Sequence, residues 1–196
     1  MSARSELINR QSARLKRERG GTIVLSLDAA EVEVIRGAFG DLLALFDSHA
    51  PAAPLTEIAP GLADPFAAVG AGELPADPVL ARLLPDAYPD DPVAAAEYRR
   101  FTEGDLLAAK RANIGVLLAG LEEAGRVGRV RLDPETAQIW LVALNDLRLA
   151  LGTRLGIEED YEAMIEALEP DDARMPAFAL YEWLTALQDS LVHHLD

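Results

Sequence analysis

Two adjacent histidines, His193 and His194, stand near the end of the sequence, with Asp189 one helical turn before His193 and Asp196 just beyond. Asp189 and His193 are four residues apart, a spacing that places two ligands on one face of a helix. Two ligands fall short of a metal site, and neighbouring histidines on a helix point to different faces, so no metal is expected. His49 stands alone where a loop opens. Clustered carboxylates are more numerous: Asp90 and Asp91, Glu122 and Glu123, Glu158 to Asp160, and Asp171 with Asp172. Such groups can divide general acid and general base work between them. Most of these, however, adjoin prolines or open helices, where negative charge complements the helix dipole, and capping accounts for them. The sequence has no phosphate-binding glycine loop, no dinucleotide fingerprint, no G-x-S-x-G elbow and no H-E-x-x-H zinc motif. No catalytic, cofactor-binding or metal-ligating residue is assigned.

The segment from Ala143 to Leu155 carries the polarity that capping does not explain. Asn145 and Asp146 lie in mid-helix, where short polar side chains compete for backbone groups and lower helix propensity. Asn145 and Arg148 share a face, as do Arg148 and Gly152. With Asp146 and Arg154 they outline a polar seam that can meet Glu97, Arg100 or Glu103 on another long helix. The preferred reading is a buried hydrogen-bonded network that fixes helix register. The alternative is a groove for a partner or ligand. Trp140 and Trp183, set in leucine-rich stripes, read as core anchors rather than cofactor cradles.

These residues must be held by helices. The 196 residues are half hydrophobic and about a quarter charged, a balance typical of a folded domain. Alanine and leucine dominate, which favours helix over sheet. Thr22 to Leu27 reads as a short strand that can pair with Val127 to Leu132. Asp28-Ala-Ala-Glu31 is a capping box, followed by apolar residues from Val32 to Phe46 at helical spacing. Gly37 and Gly40 weaken that helix by about 1 kcal/mol each unless they permit close packing. Residues 48–76 carry five prolines and three glycines and read as a long mobile loop. Asp77-Pro78, Asp91-Pro92 and Asp133-Pro134 each start a further helix, with proline at its first position. Gly125 and Gly156 suit helix ends. Two last helices follow, at about 158–168 and 176–194. The expected fold is mainly α: a single domain over 22–196 of about six helices, with at most a two-stranded β ribbon, behind a basic flexible arm over 1–21.

The charge is unevenly spread. Residues 1–19 hold six basic and two acidic residues, so a net charge of −15 leaves −19 for the rest. An acidic body repels phosphates and argues against extended nucleic-acid contact. The absence of cysteine excludes disulfides, thiolate chemistry and thiol-based redox sensing in this chain. No apolar run reaches the roughly 18 residues needed to span a bilayer, and no secretory signal is present, so a cytoplasmic protein is expected.

Four segments in order carry a family resemblance: Leu84-Pro-Asp-Ala-Tyr-Pro-Asp-Asp91, Glu97-Tyr-Arg-Arg-Phe-Thr-Glu103, Trp140 to Leu155 with its Leu-Asn-Asp-Leu-Arg-Leu core, and Tyr181-Glu-Trp-Leu-Thr-Ala-Leu-Gln188. Over residues 22–195 the chain resembles the actinobacterial domain-of-unknown-function family that includes the oxidative-stress regulator AosR. The resemblance implies a regulator without catalytic residues, whose partner is a sigma factor or another component of transcription or proteolysis. For redox-responsive members the resemblance implies paired cysteines. This chain has none, so that device does not carry over; oxidation of Met164 or Met175 is a weak substitute. The resulting expectation is a non-enzymatic regulatory or adaptor protein acting through protein contacts. The alternative is a helical domain that binds a small molecule, or an enzyme of unrecognised type.

Overall fold

A computed structural model of the chain describes residues 14–49, 74–125, 128–157, 161–166, 168–169 and 171–195. Most of the proposed basic arm and most of the proline- and glycine-rich segment lie outside these residues.

The fold is mainly helical, as its composition predicts. Among the described residues there are six helices: α1 (Ala29–Ser48), α2 (Pro78–Leu83), α3 (Pro92–Ala124), α4 (Pro134–Leu155), α5 (Tyr161–Glu166) and α6 (Met175–Leu195). Aspartates open four of them. The Asp28 side chain accepts from the Glu31 N–H while the Glu31 carboxylate accepts from the Asp28 N–H, a complete capping box. Asp77, Asp91 and Asp133 accept first-turn N–H groups of α2, α3 and α4, each with proline in the first turn. α3 is a single run of 33 residues, about 50 Å long. α4 ends on Gly156 in the left-handed conformation.

The expected ribbon is present but has a third member. β1 (Leu15–Arg17), β2 (Ile23–Ser26) and β3 (Arg129–Leu132) form an antiparallel sheet in that order, with Leu25 opposite both Leu15 and Val130. β1 belongs to residues that the sequence assigned to the arm. Leu15 is the reason: it is buried while Lys16 and Arg17 face solvent, so one apolar residue in a basic run anchors the strand. The Arg14 guanidinium meets the Glu31 carboxylate, and Arg131 donates to Glu18 at 2.6 Å, which fastens the segment at both ends.

Gly128 closes the sheet against α1. Its φ is +59°, and a Cβ there would fall 1.8 Å from the Leu27 carbonyl oxygen. The space a side chain would need holds a backbone contact, in which Leu27 N–H donates to Gly128 O at 2.7 Å. The inner face of the sheet (Ile23, Leu25, Val130, Leu132) joins Ile35, Phe39, Phe46, Leu117, Leu121 and the fully buried Trp140 in one core. α4 runs through its middle and packs on α2, α3 and α6.

Candidate functional site

The polar residues singled out from the sequence fall on two sides of α4. Asp146 faces α3, where its Oδ1 accepts from Lys110 Nζ at 2.7 Å and both side chains are largely buried. Among the described residues Asp146 Oδ2 finds no hydrogen-bond partner. Burial pushes the Asp146 carboxyl above its ordinary value, and the Lys110 ammonium beside it only partly offsets that rise.

Asn145 and Arg148 lie on the other flank. Residues 141, 145, 148 and 152 repeat at helical spacing, and both ends of that stripe touch α6. Gln188 donates to the Leu141 carbonyl at 3.3 Å, and a Cβ at Gly152 would sit 3.3 Å from the Tyr181 ring. Asn145 and Arg148 are half-buried there, and Arg148 donates to Asn145 at 3.4 Å. The structure therefore does not bring them to Arg100 or Glu103. At about 100° per residue, Asp146 rather than Asn145 or Arg148 points at α3.

Glu103 belongs to a separate network. Its Oε1 lies 2.6 Å from His49 Nε2 and its Oε2 lies 3.8 Å from Arg99 Nε, and Arg99 also pairs with Asp86. Arg99 and Glu103 are buried, so this chain of charges ties the end of α1 to α3 and to the turn after α2. Arg100, half-buried, is not part of it. Arg154 is exposed and donates to Asp77 Oδ2 at 2.6 Å. Burial raises the Asp77 pKa, but the Arg154 hydrogen bond and the N–H groups of Val79 and Leu80 outweigh it and hold the carboxyl below its ordinary value. The half-buried Asp172 is held down to about 2 by the Arg174 side-chain and backbone donors, a local turn rather than an acid–base site.

Sequence reasoning missed Lys110, His49, Arg99 and Asp86. The Arg99–Glu103 spacing of four was legible; Lys110 and His49 join only through packing between distant segments. His193 and His194 lie at the end of α6, with His194 Nδ1 2.7 Å from the Ser190 carbonyl. Among the described residues no three metal-ligating side chains converge.

Among the described residues one concave surface stands out. An open groove of about 490 Å³ lies between α1, α2, α4 and α6. α1 lines it with Val34, Gly37, Ala38, Leu42 and Leu45, α2 with Val79, α4 with Leu147, Ala150 and Leu151, and α6 with Leu180. Glu33, Asp41 and Arg154 supply its polar lining. Among the described residues nothing lies within 4 Å of a Cβ built on Gly37, so close packing against them does not explain that glycine. The same holds for Gly40, which does not line the groove. Among the described residues no helix is long and apolar enough to cross a membrane.

The model of a family described as a domain of unknown function (DUF2017) matches residues 12–195 of the chain. The chain belongs to this family. It is 36% identical over 178 residues to the oxidative stress regulator AosR of Mycobacterium tuberculosis, covering 84% of this chain and 77% of that protein. The oxidative stress regulator AosR of Mycobacterium bovis matches to the same extent. No solved structure matches. The match spans both the Glu97–Glu103 and the Trp140–Leu155 segments, so the buried pair, the charged network and the α4 wall of the groove all lie within the family region.

Proposed function

We propose that this chain is a non-enzymatic regulatory or adaptor protein of the oxidative-stress response, working in the cytoplasm through contacts with another protein. The observation that carries the proposal is the groove: its lining is apolar along all four helices and its charges sit on α1 and at Arg154. That is the composition of a contact surface, apolar at the centre and polar at the rim. The relatives' naming as oxidative stress regulators supplies the process. A sigma factor or another transcription or proteolysis component is the partner class implied by the family resemblance. The polar residues of α4 then serve the scaffold: Asp146 fixes α4 against α3, and Arg154 ties the groove wall to α2.

Deleting the gene in its native host and challenging with peroxide tests the proposal. Deletion is expected to sensitise cells, with survival restored by the wild-type chain. Equal survival with and without the gene overturns the stress-response assignment. A second reading follows from the groove's size, since about 490 Å³ is within the range of small-molecule pockets. A metabolite that raises the melting temperature of the wild-type chain but not of Leu151→Glu would favour it.

A further inference from the structure

Taking the proposed protein-contact function as its premise, we infer that the groove accepts an amphipathic helix of a partner protein, apolar on one face and flanked by lysine or arginine. The α1 wall runs from Glu33 to Leu45, about 18 Å along the helix, which matches about three turns of a bound helix. Val34 leaves half its surface exposed on that wall, an apolar side chain that the described residues do not cover. Gly37 sits at the middle of the wall, in an ordinary helical position, with open space where its Cβ would be. A glycine there lowers helix propensity and brings no packing gain against the described residues. Its use is to let another backbone approach closely.

The rim selects the partner's charge. Glu33 and Asp41 are exposed on α1; Glu33 pairs with Arg36 at 3.3 Å and Arg154 on the opposite side pairs with Asp77, which leaves Asp41 as the rim charge with no ion pair among the described residues. The rim therefore carries an excess of carboxylate, on a chain of net charge −15. A basic-flanked helix is attracted to it, while a second copy of this acidic chain is repelled. Helix-in-groove binding reads apolar anchors at i, i+3 or i+4, and i+7, which the apolar lining of Leu42, Leu45, Val79, Leu147 and Leu151 can accept.

The test is selection of a displayed library of helical peptides, about 15 residues long and randomised among apolar, basic and acidic side chains, on the full chain. Enriched peptides are expected to carry apolar residues at helical spacing with lysine or arginine on the flanks. Their affinity, read by fluorescence anisotropy, should fall about tenfold or more in Gly37→Leu, which fills the wall, and fall in Asp41→Lys and at high salt. Gly37→Leu should melt no lower than wild type, since leucine is the better helix former and meets no neighbour. Enrichment without a basic bias, or binding unchanged in both variants, overturns the inference. A concentration-dependent dimer by light scattering that Gly37→Leu abolishes also overturns it, in favour of a second copy. Peroxide sensitivity of the deletion strain is independent of these results, so failure here leaves the stress-response proposal standing, and the reverse.

Discussion

Lys110 Nζ lies 2.7 Å from Asp146 Oδ1 across the α3–α4 interface, with both side chains largely withdrawn from solvent. The pair is unequal. Asp146 keeps a raised pKa despite the ammonium beside it, because burial penalises its ionised form more than Lys110 rewards it. Asp146→Asn, which resembles the neutral acid, should therefore cost less stability than Lys110→Met, which strands a carboxylate. At pH 7, Lys110→Met should cost about 3 kcal/mol in urea unfolding. The sign with pH follows from the raised value: the stabilisation from proton uptake by Asp146 is fully present below its unfolded pKa and is lost as pH rises through the folded one. The Lys110→Met deficit should shrink on acidification. A deficit that grows instead would contradict this account of the pair.

The buried network on α3 gives a second expectation. Glu103 is flanked by His49 and Arg99, so Glu103→Ala removes the carboxylate that the half-buried His49 meets and one of the contacts of the buried Arg99, which keeps its pair with Asp86. A loss of about 2–3 kcal/mol is expected, and a smaller one for Glu103→Gln, which retains an acceptor oxygen. Chemical denaturation of the two variants decides it. Equal losses would mean that charge rather than hydrogen bonding holds the end of α1.

Local signals were legible in the sequence and non-local ones were not. The aspartate caps at Asp28, Asp77, Asp91 and Asp133 depend on two or three adjacent residues, and the β2–β3 pairing follows from two short alternating runs. β1 was missed because a single leucine in a basic run gives almost no periodicity. Within the proposed seam the spacing was legible but the facing was not. Spacing places Asn145 and Arg148 on one stripe, yet only packing decides that the stripe meets α6 and that Asp146 meets α3. The groove left no sequence signal except Gly37, since it is a gap between four helices rather than a motif.

At the sheet, Gly128→Ala should cost about 2 kcal/mol or more, because alanine is strained at φ +59° and its Cβ would strike the Leu27 carbonyl. Gly37→Ala, at a helical position with open space around it, should stabilise instead. Thermal melts of the two variants are expected to move in opposite directions. A Gly128→Ala chain that melts with wild type would mean that the β2–α1 junction shifts freely.

Redox chemistry gives a sharper test, since the chain has no cysteine. Diamide, which oxidises thiols, should leave the purified protein's melting temperature, hydrodynamic size and peptide affinity unchanged. A reversible diamide response in the pure chain would contradict this. Any response to peroxide that diamide does not reproduce should map to methionine, with Met164 and Met175 the residues to follow by mass spectrometry.

The two flanks of α4 can be told apart by substitution. If the α3 side holds the register, Lys110→Met should dominate any series along this interface. Asn145→Leu and Arg148→Met should each cost under about 1 kcal/mol, because both residues are half-buried and their mutual hydrogen bond is long at 3.4 Å. Neither variant strands a buried charge: removing Asn145 leaves Arg148 with access to water, and removing Arg148 leaves a neutral amide. The double variant Asn145→Leu/Arg148→Met should show little coupling beyond the two single losses. Urea unfolding of the three chains beside Lys110→Met measures all of this. Losses of 2–3 kcal/mol on the α6 side would reverse the ranking and make residues 145 and 148 the structural seam that the sequence first suggested.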